Sequence, residues 1–235
     1  MVCIISKFML IIKKISGQAN INRYGEVERM INKKNIIYKT HKKIKEALSA
    51  RKKVLLWKLK GRPIPAPHAV KQKINKYYAA KFGPRVFIET CTNMGEMIDA
   101  VLNIFPKIIS VELDPELAQR AKNKFSSNPH VKILQGDSGK LLAEVMANIN
   151  EPCLFWLDAH YNGETPIAKE LKALLEHSCT DHVILIDDAR YFTKQNNYPT
   201  LDEVKKLVAS KRRDWVVEVD ADIMRIHKAP IHQQY

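Results

Sequence analysis

Three observations predict an α/β fold: a doubly wound, mostly parallel seven-stranded sheet with a basic helical extension at its N-terminus. From Arg85 onward, short apolar segments alternate with helical ones, the pattern of a parallel sheet covered by helices on both faces. Two of the apolar runs, Phe155-Trp156-Leu157-Asp158-Ala159-His160-Tyr161 and Val183-Ile184-Leu185-Ile186-Asp187-Asp188, lack polar alternation and end in carboxylates. Such runs fit strands buried on both faces. The charge is also lopsided. Residues 1–80 hold 20 Lys and Arg against 3 Asp and Glu, a balance of +17, whereas residues 81–235 hold 19 against 22.

Residues 1–60 read as Lys-rich helix, with an apolar patch at Val54-Leu55-Leu56-Trp57-Lys58-Leu59 suited to docking on the main domain. The segment Gly61-Arg62-Pro63-Ile64-Pro65-Ala66-Pro67 forbids helix, because proline removes donors and fixes φ. A helix over residues 68–82 is stopped by Gly83-Pro84. This gives a basic extension over residues 1–60, a linker and lead-in helix over 61–82, and the main domain over 83–235. Within it, strands are expected at Val86–Glu89, Ile108–Glu112, Val131–Gln135, Cys153–Leu157 and Val183–Ile186. Helices are expected at Gly95–Ile104, from Pro115, and at Lys140–Asn148, Pro166–His177 and Leu201–Ser210. Trp215–Val219 and Ile223–His227 are expected to close the sheet as an antiparallel pair.

In open α/β sheets, ligands bind beyond the carboxyl ends of the strands. The first strand runs into Glu89-Thr90-Cys91-Thr92-Asn93-Met94-Gly95, a loop and a glycine opening a helix, which can present backbone N–H groups to a polar ligand or serve only as a turn. The second ends in Val111-Glu112-Leu113-Asp114-Pro115, with Glu112 23 residues after Glu89, near the spacing of a ribose-binding acid. Asp114 suits the cap of the helix opening at Pro115. The third ends in Gln135-Gly136-Asp137-Ser138, where Asp137 accepts from an adenine amino group or caps the next helix. If the fourth and fifth strands are neighbours, Asp158, Asp187 and Asp188 converge. Such clustered anions call for a proton or a cation, and a hard divalent ion suits oxygen donors. Pairing of Asp187 and Asp188 with Arg190, or capping, is the structural alternative. Tyr161, Tyr191, Phe192 and Tyr198 stand near the same mouth, as acceptor-pocket walls or as packing.

Taken in order, these strand ends resemble the class I S-adenosylmethionine-dependent methyltransferases, over roughly residues 83–227. The chain also resembles bacterial methyltransferase-like proteins with Glu-Thr-Gly-Thr loops and an Ile-Asp-Asp-Ala-Arg strand end. The resemblance implies a Rossmann-like methyltransferase fold binding S-adenosylmethionine. It implies Glu89 and Gly95 near the methionine portion, with Thr90, Cys91 and Ser138 in the same site, Glu112 on the ribose and Asp137 near the adenine. Cys91 and Asn93 stand where the family carries glycine, which narrows the approach. The acidic strand ends look like those of metal-dependent O-methyltransferases of the catechol and macrocin-sugar types. That implies Asp158, Asp187 and Asp188 as ligands of Mg²⁺ or a similar ion, and a small hydroxylated or sugar acceptor. His160 is placed to act as general base, since an ordinary imidazole titrates near neutrality.

The basic extension suggests an anionic partner or a solvated Lys-rich helix. Met1–Ser16, whose longest uninterrupted apolar stretch is Phe8–Ile12, is too short to span a bilayer and reads as an interfacial helix, with a signal peptide as the alternative because Gly17-Gln18-Ala19 resembles a cleavage site. The cysteines, Cys3, Cys91, Cys153 and Cys179, show no C-x-x-C spacing, which fits a reducing cytoplasm, with peripheral membrane contact through the extension. Two rival functions remain: an RNA-binding protein or RNA methyltransferase using the arm, and a methyltransferase-like scaffold that has lost catalysis.

Overall fold

The computed structural model describes residues 21–160 and 165–229. The expected interfacial helix at Met1–Ser16, Cys3 and the pocket residue Tyr161 lie outside the described residues. Two compact units are distinguished, Met1–Lys53 and Val54–Tyr235. In the first, the described residues belong to α1, a helix over Ile21–Leu59 whose last turns lie in the second unit.

The second unit is a seven-stranded sheet of β1 (Val86–Thr90), β2 (Lys107–Glu112), β3 (Val131–Gln135), β4 (Cys153–Leu157), β5 (Val183–Ile186), β6 (Trp215–Asp220) and β7 (Ile223–Lys228). Their order is β3-β2-β1-β4-β5-β7-β6. The first five strands pair in parallel, and β7 runs antiparallel to both β5 and β6. The strand order reverses between β1 and β4, the switch point at whose carboxyl ends ligands bind in such sheets. The register puts Thr90 opposite Leu157, so the loop after Thr90 and the turn at Asp158 leave the sheet side by side.

Alternate strand residues build two cores. Ile88, Phe155, Ile184 and Met224 pack under α5 (Ser138–Met146), α6 (Ile167–Leu175) and α7 (Leu201–Lys211). Phe87, Leu154, Leu185 and Ile223 pack under α2 (His68–Phe82), α3 (Glu96–Val101) and α4 (Pro115–Lys124). Strands covered on both faces need no polar alternation, and β1, β4 and β5 are buried throughout.

The helix starts have local causes. Asp114 accepts from Glu116 N and Leu117 N at 2.8 Å, with Pro115 in the first turn. Thr200 and Glu203 form a capping box at α7. Gly83, at φ 63, ends α2 by donating to Ala79 O.

The compact unit takes in more of the chain than residues 83–235. Val54 and Trp57 pack on Ala66 and Val70, and Tyr78 and Ala79 of α2 lie in the core. The segment read as linker and lead-in helix is therefore part of the packed domain, because α2 covers one sheet face.

Candidate active site

The loop after β1 is held by its neighbours. Backbone φ is positive at Cys91 (73), Asn93 (47) and Gly95 (68), the loop's alternate positions. Only Gly95 adopts this without cost. A Cβ on Gly95 would stand 2.7 Å from Phe125 Cε2. Lys124 ties the loop down, donating to Met94 O at 2.8 Å and to Asp99 Oδ2 at 2.6 Å. The Cys91 thiol is pushed up to about 12 by burial and by the acids Glu112, Asp158 and Glu89, so it stays neutral and is no nucleophile.

Glu89 is 1% exposed. Its Oε1 accepts from Ser110 Oγ at 2.7 Å, and Ser110 Oγ lies 2.5 Å from Thr92 Oγ1. Burial, only partly offset by the Ser110 bond, pushes Glu89 up to about 8. Glu112 is also buried, and its carboxylate accepts from Asn93 N at 2.7 Å and Asp114 N at 3.1 Å. Each carboxylate oxygen keeps a second lone pair. Asp137 caps α5, accepting from Gly139 N at 2.9 Å, which is the capping role of its two expected ones; its other oxygen lies 3.9 Å from Lys140 Nζ. Ser138 is buried behind this cap.

At the ends of β4 and β5 the acidic residues converge, but not as three equivalent ligands. Ligand atoms of Asp158, His160 and Asp188 lie within 4.8 Å of one another. Asp187 departs from the expected set: it is buried and bonded through Oδ2 to Lys71 Nζ, and Oδ1 has no hydrogen-bond partner. The cause is α2, which brings Lys71 onto this edge, so Asp187 meets an ammonium and His160 takes its place in the cluster. Asp188 sits at φ 56 and ψ 43, a left-handed conformation that Asp tolerates better than most residues. It accepts from Arg190 at 2.8 Å, and Arg190 also pairs with Asp222. The expected alternative pairing with Arg190 therefore holds for Asp188.

Asp158 is pushed up to about 8 by burial and by Asp187, despite Lys71. Its carboxyl is within reach of Asp187, and a proton on Asp158 would satisfy the unpartnered Asp187 oxygen. Asp158, His160, Asp188 and Tyr198 line a cavity of about 10 Å³, room for one water-sized group. The Asp158–His160–Asp188 set thus offers two carboxylates and an imidazole around this water-sized space, the donors a single cation would need, with Asp188 already paired to Arg190.

Of the aromatic residues expected at this mouth, Tyr198 lines the cavity and Tyr191 stacks under Arg190, whose guanidinium carbon is 4.3 Å from the ring centroid. Phe192 instead packs in the core.

Two buried or half-buried charged residues beside these strand ends are not among those expected from the sequence. Lys71 is one cation among many in a basic segment, and nothing in the pattern marks it as buried. Glu170, 1% exposed on α6, had a readable signal. It follows Ile167 by three residues and precedes Leu171 and Leu174, so it sits on the apolar face. Burial pushes it up to about 7, against the pull of the Ser138 and Thr90 hydroxyls.

The sheet order can be compared with solved structures. A candidate caffeoyl-CoA O-methyltransferase from Staphylococcus aureus is 13% identical with a TM-score of 0.56, matching 85% of this chain and 100% of its own. The Bacillus cereus O-methyltransferase solved with S-adenosylhomocysteine is 16% identical at a TM-score of 0.52, over 76% of this chain and 90% of that one. TomG of Streptomyces achromogenes, solved with S-adenosylmethionine, is 14% identical at 0.55, over 77% and 88%. This chain has the class I methyltransferase fold. No protein-family model and no curated protein sequence matches it. In the sheet order the β1 loop, Glu112 and Asp137 follow β1, β2 and β3 on one side of the switch point, and the Asp158 cluster follows β4 and β5 on the other.

Proposed function

We propose that this protein is an S-adenosylmethionine-dependent O-methyltransferase acting on a small hydroxylated or sugar acceptor, assisted by a divalent ion. The observation that carries the reading is the meeting of Asp158, His160 and Asp188 around a water-sized cavity at the carboxyl ends of β4 and β5. Glu89 and the β1 loop would face the methionine portion of the cofactor, Glu112 its ribose, and the free oxygen of Asp137 its adenine. Lys71 holds Asp187 and lowers the repulsion at the cluster. Tyr198 walls the acceptor side.

A bound ion would lower the pKa of an acceptor hydroxyl and orient it. His160 would then help to hold the ion and would not serve as the base. One imidazole with two carboxylates suits Mn²⁺ or another transition ion at least as well as the Mg²⁺ expected from three carboxylates. The acceptor hydroxyl would pass its proton to solvent, and its oxygen would take the methyl group as the methyl–sulfonium bond of S-adenosylmethionine breaks and the sulfur leaves as a neutral thioether.

Titration calorimetry with S-adenosylmethionine and S-adenosylhomocysteine tests the cofactor half. We expect single-site binding that Glu112→Ala weakens by about 1–3 kcal/mol, the worth of hydrogen bonds to a charged group. Binding of neither compound would overturn the reading. It would favour the scaffold alternative, which the side chains of Cys91 and Asn93 at positive-φ positions support. For the metal half, chelation should abolish methyl transfer and Mn²⁺ or Mg²⁺ restore it; full activity after exhaustive chelation would refute it.

A further inference from the structure

The helix α1 carries a surface that the methyltransferase reading does not use. Ile37, Ile44, Leu48, Leu55 and Leu59 are exposed by 48%, 52%, 58%, 57% and 74%. Their spacings are seven, four, seven and four residues. At 3.6 residues per turn these positions share a stripe spanning about 60° of the helix surface. Tyr38 and Leu56, exposed by 70% and 44%, lie farther round on the side of Lys45 and Lys52. Val54 and Trp57, which pack on Ala66 and Val70, lie on another side.

Single exposed apolar residues need no explanation, but a contiguous stripe of large ones does. The flanks show what it fits. Residues 37–60 hold nine Lys and Arg and one acidic residue, Glu46. Lys45 and Lys52 border the stripe on one side, and Arg51 and Lys58 on the other. A second copy of the helix would bring like charges together, so self-pairing is opposed. Nucleic acid would use the cations but leave the aliphatic stripe in water. A bilayer with anionic headgroups takes both, with the side chains entering the acyl boundary and the cations meeting the headgroups. Among the described residues no helix is long and apolar enough to cross a membrane, so the contact would be interfacial.

We infer that the Ile37–Leu59 face of this helix is a docking surface for an anionic lipid bilayer. The test is co-sedimentation of the full chain with vesicles of phosphatidylcholine alone or mixed with phosphatidylglycerol. We expect binding to the mixed vesicles only, weakening as salt rises. The pair Leu48→Asp and Leu55→Asp should weaken binding about tenfold or more. Lys45→Glu with Lys52→Glu should do the same. All four positions are exposed, and the circular dichroism and unfolding midpoint of each variant serve as controls. Absence of binding to the mixed vesicles would overturn the inference, as would equal binding to neutral ones. It would equally fall if the chain dimerises in a manner broken by Leu48→Asp and ignores vesicles. Binding of a single-stranded oligonucleotide lost with the Lys→Glu pair but kept with the Leu→Asp pair, without vesicle binding, would also overturn it.

Discussion

Glu89→Gln should change how stability depends on pH, because the native protein holds on Glu89 a proton that the unfolded chain releases. The carboxyl is 1% exposed and receives one hydrogen bond, from Ser110, with Asp158 and Glu112 nearby. Its pKa rises from 4.5 to about 8 on folding. Below the unfolded value both states carry the proton and the group contributes no pH slope. Between 4.5 and about 8 the native state binds more protons, so stability falls as pH rises. The slope is about 1.4 kcal/mol per pH unit, and over the whole interval the loss approaches about 5 kcal/mol for a fully retained environment. Gln keeps the shape and the acceptor for Ser110 and has no proton to lose. Urea unfolding of wild type and Glu89→Gln from pH 5 to pH 9 should therefore show the variant gaining relative stability with pH, levelling off above about 8. A stability difference that stays constant across this range would refute the argument that Glu89 is buried as the neutral acid. Asp158 and Glu170, raised to about 8 and about 7, add to the wild-type slope but are common to both proteins.

Gly95→Ala should destabilise the protein by about 1–3 kcal/mol, since a left-handed residue gains a Cβ 2.7 Å from the Phe125 ring; chemical denaturation measures it. Cys91→Gly should stabilise the loop by up to about 1 kcal/mol and tighten S-adenosylmethionine binding, because φ 73 favours glycine; calorimetry and unfolding read the two effects separately. Lys71→Met should cost about 3 kcal/mol near neutral pH by leaving buried Asp187 without its cation, and less in acid, where Asp187 takes up a proton. Thr200→Ala should cost about 1 kcal/mol in unfolding free energy by removing one half of the capping box.

The strands were legible because burial on both faces writes itself as unbroken apolar runs. Val131–Gln135, Cys153–Leu157 and Val183–Ile186 have the expected bounds, and the closing antiparallel pair forms at β6 and β7. Turn chemistry was equally readable at Asp114-Pro115 and Gly83, where one residue type satisfies one backbone need. The meeting of Asp158 with Asp188 followed from strand adjacency alone, since β4 and β5 are neighbours and both carry their acids just past the last apolar residue. What remained hidden depends on elements far apart in sequence. Whether Asp187 faces a metal or an ammonium is set by α2, which packs across the sheet from a segment whose composition reads as one more basic stretch. That contact binds Lys71 to Asp187 over 116 residues of chain and leaves His160 to complete the cluster. The same long-range packing explains why the domain begins near Val54 rather than after the prolines. Pro63, Pro65 and Pro67 end helix locally, yet Trp57 Nε1 donates to Pro63 O at 2.7 Å and Ala66 is buried between Val54 and Val70, so the segment folds back into the core instead of separating two parts. Backbone rules predict where helix must stop, but only packing decides whether the chain then leaves the domain. Here that decision also delivers Lys71 to the candidate active site.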